Sequence, residues 1–316
     1  MKINFNKMNS KSPCIIVHGG ITHANDPWIM EKISAVVKSA SRGYSSLISN
    51  QNAVDAVEDA LWWLENDEFL NCGYGCSPND QDLVEMDASM MNGTTSQSGT
   101  ILCLKDVEHP ISVARYVMEN YSNKIFSNEL MKRMKNIPRF WMPPGNMDPV
   151  SERDNEVKNH SCGCISWDGL NLVVGSTGGG PRGKPSGAVS DAGIIGCGLF
   201  ASETLACVIT GPTDSLVQLN LASEVVDETE ELNACPETVL KKHVNLLKAV
   251  GEAAGGIILH SSGCTGIYFT APCMPYAVVK DECIVYGWDM CQRHYRKYSN
   301  VDGKNICRCN IEMQNF

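Results

Sequence analysis

A side-chain hydroxyl is a weak nucleophile unless a base sits beside it, and one solution is to make it the first residue of a chain. The freed α-amine, with an ordinary pKa of about 7.7 to 8.0, then serves as that base. Ser161 is placed for such chemistry, since it follows a long stretch without apolar periodicity and opens the run Cys162-Gly163-Cys164-Ile165. Position alone does not single it out, because serines precede strands in many proteins. The pairs Cys72 and Cys76, Cys162 and Cys164, and Cys307 and Cys309 look like metal ligands, but none has the spacing and second pair of a zinc module. Gly178-Gly179-Gly180 lacks the spaced glycines and following acidic residue of a dinucleotide site. A lone His18 or Trp167 reads as a core residue and is given no role.

The elements that must position these residues follow from periodicity. Cys14-Ile15-Ile16-Val17 is a short buried strand running into His18-Gly19-Gly20, where glycine permits a close turn. Ile29, Ile33, Val36, Val37, Ala40, Tyr44 and Leu47 recur at helical spacing, and a second helix runs from Ala53 to Leu64 with Asn52 as its cap. A short strand is expected at Val84 to Ala88, another at Gly99 to Leu104, and a helix from His109-Pro110 through Met118. From about Asn120 to Asn159 the composition becomes rich in Lys, Asn, Pro and Met, which reads as a linker. Strands return at Cys164 to Trp167, Asn171 to Val174 and Leu205 to Thr210. Helices are expected over Leu216 to Val226 and Val239 to Val250, then strands at Gly256 to His260, Gly266 to Thr270 and Cys283 to Tyr286. Strands and helices come in separate groups in each half, with no repeat, so layered sheets with helices outside are favoured over a βαβ alternation.

The bulk properties exclude several partners. The chain has 316 residues, 43% hydrophobic and 20% charged, as an ordinary globular protein does. Its formal charge is −10 and its basic residues form no stripe, which argues against nucleic acid. Lys2, Lys7 and Lys11 precede Pro13 without a continuous apolar stretch, so no secretory signal is read there, no run reaches membrane-spanning length, and the cytoplasm is the expected location. Fifteen cysteines, an odd number, then read mainly as buried thiols rather than a disulfide scaffold. The tail holding Arg293, Arg296, Lys297, Cys307, Arg308 and Cys309 reads as a solvated extension.

Several runs in order resemble the plant-type asparaginases and isoaspartyl peptidases. They are Val17-His18-Gly19-Gly20, Ala53-Val54-Asp55-Ala56-Val57-Glu58, Asn71-Cys72-Gly73-Tyr74-Gly75 and Val84 through Gly93. Downstream come Pro110 through Arg115, Ser176-Thr177-Gly178-Gly179, Gly255-Gly256-Ile257-Ile258 and Met274-Pro275-Tyr276-Ala277. The resemblance spans roughly residues 13 to 290 and implies an α+β fold, a four-layer αββα sandwich of the N-terminal-nucleophile hydrolase type. It implies self-cleavage between His160 and Ser161 into an α-chain half, 1–160, ending in the linker of about 120–160, and a β-chain half, 161–316, together one compact domain. A register with Cys162 as nucleophile puts Gly163 out of line.

The family's supporting hydroxyl corresponds to Thr177, and its oxyanion hole to Thr210 with the backbone of Gly211. Asp191 corresponds to the carboxylate that grips the substrate α-amine, and Asn71 to a residue supporting the site. The implied reaction is hydrolysis of asparagine or β-aspartyl amides in a small molecule or short peptide, without a cofactor. The loop with Leu64, Glu65, Phe69 and Cys72 resembles the family's structural sodium loop, and a homodimer of αβ protomers is the implied assembly. Three positions depart from the pattern. Ala188 replaces the arginine that holds the substrate carboxylate, with Arg182 and Lys184 the nearest cations in the same loop. Thr213 replaces a substrate-facing glycine, and His160-Ser161 replaces the usual Gly-Thr or Asp-Thr. These departures leave two other readings: an uncleaved homologue acting as a binding or regulatory protein, and a threonine-aspartase-like protease, although the longer insertion of the latter is absent. A glycosylasparaginase would bring a signal peptide and disulfides.

Overall fold

Strand β1, Cys14–His18, is apolar on both faces and therefore central, and the rest of the architecture is arranged around it. The computed structural model describes residues 12–130 and 160–298. Helices α1 (Ile29–Asn50) and α2 (Ala53–Glu65) follow β1. The Asn52 side chain accepts hydrogen bonds from Val54 N and Asp55 N, the cap expected from its residue type. Strands β2 (Met86–Asn92) and β3 (Gln97–Leu104), helix α3 (Pro110–Asn120) and strand β4 (Ile125–Ser127) complete the first half. The second half contains β5 (Cys162–Trp167), β6 (Leu172–Gly178), β7 (Leu199–Ala201) and β8 (Leu205–Thr210). Helices α4 (Thr213–Leu219), α5 (Leu221–Leu232) and α6 (Pro236–Ala249) then lead to β9 (Gly255–His260), β10 (Thr265–Phe269), β11 (Tyr276–Lys280), β12 (Cys283–Gly287) and β13 (His294–Lys297).

The strands form two sheets, one of nine in the order β13-β12-β11-β1-β5-β6-β2-β3-β4 and one of four in the order β10-β9-β8-β7. Alternation along the strands sends side chains to opposite faces. Ile15, Val17, Cys162, Cys164 and Val173 pack with the apolar stripes of α1 and α2. Cys14, Ile16, Ile165 and Val174 pack instead with Val208, Ile257 and Leu259 of the smaller sheet. Cys207, Ile209 and Ile258 on the far side of that sheet meet Val225, Val226, Leu240 and Val244 of α5 and α6. The arrangement is α+β, and β5 lies fully buried between β1 and β6.

Four local readings are corrected. The strand expected from Val84 begins at Met86, because the Glu85 carboxylate is held by Ser186 and Gly187 of a separate loop. The helix expected over Leu216 to Val226 is two helices, broken where Asn220 turns left-handed at φ 46 and ψ 46. The basic segment at Arg296 and Lys297 is an edge strand paired with β12, in which charged side chains keep the sheet edge soluble. Within the stretch read as linker, Ile125–Ser127 pairs in parallel with β3, while 131–159 lies outside the described residues, as do Cys307 and Cys309. Strand β11, Tyr276–Lys280, pairs antiparallel with β1 and β12 and was not anticipated. Among the described residues no helix is long and apolar enough to cross a membrane.

Candidate active site

Ser161 immediately precedes central strand β5 and is 1% exposed. Its hydroxyl donates to Asp191 Oδ2 at 2.5 Å. Asp191 lies in a single 3-10 turn, Asp191–Gly193, and its N–H donates to Thr213 Oγ1 at 3.1 Å. Burial pushes the Asp191 carboxyl up to about 7; the Ser161 bond opposes this and nearby Asp87 adds to it. The turn is fixed from β2 and the residues before it. Asp87 accepts from Ser190 N at 2.7 Å and Cys103 N at 2.8 Å. Glu85 accepts from Gly187 N at 2.9 Å. Burial alone would raise Glu85, but hydrogen bonds from Lys105 and Gly187 outweigh it and lower the group to about 2.

The peptide between His160 and Ser161 runs against Gly20. A Cβ on Gly20 would lie 3.0 Å from the His160 carbonyl oxygen and 3.1 Å from that of Ser161, and its φ of +85° already favours glycine. Gly20 N donates to His18 Nδ1 at 3.1 Å, so the ring proton sits on Nε2, and burial pushes the His18 pKa down to about 3. Burial likewise lowers His160, to about 4, so both imidazoles are neutral near pH 7. On the opposite side a Cβ on Gly178 would lie 3.1 Å from Ser161 Cα and Cβ. Asn71 fixes this glycine run, accepting from Gly179 N at 3.0 Å through its carbonyl and donating from Nδ2 to Gly180 O at 2.8 Å.

Thr177 pairs with Cys162 across the β5–β6 ladder, one residue from Ser161, and its hydroxyl donates to Glu65 Oε1 at 2.7 Å. Glu65 is fully buried, accepts also from Ile111 N at 3.0 Å, and has His109 Nδ1 3.5 Å from Oε2. Burial raises its pKa above the usual carboxylate range, against the pull of His109 and Thr177. Thr210 ends β8 with its Oγ1 buried and without a hydrogen-bond partner. Val208, two residues earlier and therefore on the same face, meets the space over Gly163, so Thr210 faces the sheet that carries Ser161. Gly211 packs on Ala254, where an added Cβ would lie 3.0 Å from the alanine methyl.

Lys184 is buried, its Nζ 3.7 Å from Asp87 Oδ2 and without a hydrogen-bond acceptor, whereas Arg182 is exposed. At the end of α2 Leu64 is core, and in the loop after it the Phe69 ring lies tilted against Trp28, centroids 5.1 Å apart. Backbone carbonyls of Asp67, Glu68 and Leu70 converge on the face of Gly75. Cys72 Sγ lies 3.5 Å from Cys162 Sγ, both thiols fully buried. The structure thus brings Ser161, Asp191, Thr213, Asn71 and the Gly178–Gly180 run together, and it turns the Thr177 hydroxyl to Glu65. Three groups were missed as participants: the Glu65 side chain, Asp87 and His109. A carboxylate such as Asp87 between the apolar Met86 and Ala88 of a buried strand was the available signal.

Comparison with known proteins places the chain in context. The family model described as asparaginase matches residues 11–140 and 141–286. A probable isoaspartyl peptidase/L-asparaginase of Drosophila melanogaster is 29% identical over 315 residues, covering 87% of this chain and 95% of the fly protein. The isoaspartyl peptidase/L-asparaginase of Xenopus laevis is 28% identical, covering 87% and 94%. A plant-type L-asparaginase of Pyrococcus horikoshii is 30% identical over 298 residues, covering 84% and 96%.

Proposed function

The chain belongs to the asparaginase family, and from that premise we propose that it is an N-terminal-nucleophile amidohydrolase acting on asparagine or β-aspartyl peptide amides. The observation that carries this reading is the buried Ser161 hydroxyl, hydrogen-bonded to a carboxylate at the head of the central strand. Self-cleavage before Ser161 frees its α-amine, which takes the hydroxyl proton as Oγ attacks the substrate carbonyl. The Thr210 hydroxyl and Gly211 N–H receive the oxyanion, a role for which the unpartnered Thr210 Oγ1 is available. Ammonia or an amine leaves, and water releases the acyl group from Ser161.

With Ala188 in place of arginine, the buried Lys184 ammonium is the charge best suited to a substrate carboxylate, because its N–H donors lack acceptors. Asp191 then takes the substrate α-amine. We assign the αββα layering of this fold to the two sheets and their outer helices, with halves 1–160 and 161–316 joined in one domain and two such protomers forming a dimer. By its likeness to the family we assign a structural sodium ion to the loop of Leu64, Glu65, Phe69 and Cys72, where it would order the loop without entering the chemistry.

The test is intact-mass analysis of purified protein over days beside Ser161→Ala, followed by release of ammonia from asparagine and of amino acid from β-aspartyl dipeptides. Two fragments breaking before Ser161, and hydrolysis absent from the variant, are expected. A chain that stays whole and inert would put the binding-protein reading first.

A further inference from the structure

The α-amine that serves as base in the mature enzyme does not exist before cleavage, when the Ser161 nitrogen is still a peptide nitrogen. The first cut therefore needs another base. We propose that Asp191 is the catalytic base of self-cleavage, taking the Ser161 hydroxyl proton while the His160–Ser161 peptide is intact. This role rests on the proposed self-processing and goes beyond the substrate-binding role of Asp191.

Geometry carries the assignment. Asp191 Oδ2 is the acceptor of the Ser161 hydroxyl, at 2.5 Å, within the reach a general base requires. The other ionisable groups nearby are otherwise engaged or too weakly basic. The His18 Nδ1 lone pair is taken by Gly20 N–H, and Glu65 accepts from Thr177 and Ile111. His160 has a free ring nitrogen, but burial has lowered its basicity to a pKa of about 4. Asp191, raised by burial to about 7, is both basic enough to accept a proton and ionised in a useful fraction near neutrality.

The step balances without a co-reactant. Ser161 Oγ bonds to the His160 carbonyl carbon and its proton passes to Asp191. Asp191 then delivers that proton to the Ser161 nitrogen as the C–N bond breaks, leaving His160 esterified to Oγ and the amine free. Water hydrolyses the ester, giving the His160 carboxylate and the Ser161 hydroxyl. Asp191 is restored as a carboxylate and is free to bind an ammonium. The groups facing it are the Ser161 hydroxyl, Asp87 from β2 with Lys184 beside Asp87, Cys197, and Thr213 of α4. Burial raises Asp87 as well, against the pull of Lys184, so the break in the pH profile is assigned to Asp191 by its loss in Asp191→Asn.

The full-length chain, purified in denaturant and refolded by dilution, is followed by intact mass from about pH 5 to 9 as wild type, Asp191→Asn and Ser161→Ala. Wild-type cleavage should climb about tenfold per pH unit up to about pH 7 and then level off. Asp191→Asn should cleave at least about 100-fold more slowly and lose that break, while its unfolding transition lies no lower than wild type. Cleavage of Asp191→Asn within about threefold of wild type overturns the assignment. Should that variant fail to refold, a wild-type rate that is flat between pH 5 and 8 overturns it equally. A wild type that stays whole at every pH, as Ser161→Ala must, refutes self-cleavage itself and this role with it.

Discussion

Replacing Asp191 by asparagine should stabilise the uncut chain at neutral pH while impairing its chemistry. Burial lifts this carboxyl from 3.8 to about 7, so the folded state holds the proton more tightly than the unfolded state. The sign follows from linkage. Below about pH 4 both states are protonated and nothing is lost; between about pH 4 and 7 the unfolded chain ionises while the folded chain keeps its proton, so stability falls across that window and levels off above it. At about 1.4 kcal/mol per pH unit the accumulated penalty is about 4 kcal/mol by pH 8. Asparagine, neutral throughout and still able to accept a backbone hydrogen bond, avoids it. Urea unfolding of Ser161→Ala against Ser161→Ala/Asp191→Asn isolates the effect. Both chains stay whole, and the Ser161 hydrogen bond that favours the ionised carboxylate is absent from both. The asparagine chain should gain little at pH 4 and at least about 4 kcal/mol at pH 8, since the lowering by Ser161 is gone. A difference that does not change with pH, or one favouring aspartate at pH 8, would refute the reasoning, because it would mean the folded chain solvates the carboxylate as well as water does.

Gly20→Ala should cost about 1 to 2 kcal/mol through its left-handed φ alone and should slow self-cleavage further, because the new methyl would meet the His160 carbonyl oxygen at 3.0 Å; thermal unfolding and intact mass read the two effects separately. Lys184→Met leaves the buried Asp87 carboxylate without its counter-charge and should destabilise by about 3 kcal/mol or more at pH 8. Burial already raises the Asp87 pKa and Lys184 holds it down, so this loss should shrink on acidification, and adding Asp87→Asn should recover part of it. Gly163→Ala would set a methyl 2.4 Å from His18 Nε2 and 2.6 Å from a Val208 methyl, an overpacked position expected to cost about 1 to 3 kcal/mol in urea unfolding. Asn52→Ala removes the two hydrogen bonds that start α2 and should cost about 1 kcal/mol by the same measurement.

Local signals carried much of this molecule. Period-two and period-3.6 patterns placed β1, α1, α2, β8 and α6 within a few residues, because each buries a continuous apolar face whose spacing is visible in the chain itself. Asn52 is legible as a cap in the sequence, and the ordered motifs are legible as a family whose pattern singles out Ser161. Where elements depend on distant partners, the chain by itself was silent or misleading. The short strands β4, β7 and β13 have too few residues for periodicity and exist through ladders with β3, β8 and β12. The site shows the same division. The family resemblance pointed to Ser161, Thr177, Asp191 and Thr210, but only the tertiary structure decided that Asp191 receives the Ser161 hydroxyl and that Thr177 turns to Glu65. The partners are 30 and 112 positions apart in the chain. Hydrogen bonds and buried charges depend on where side chains meet and how much water remains, and folding alone sets both.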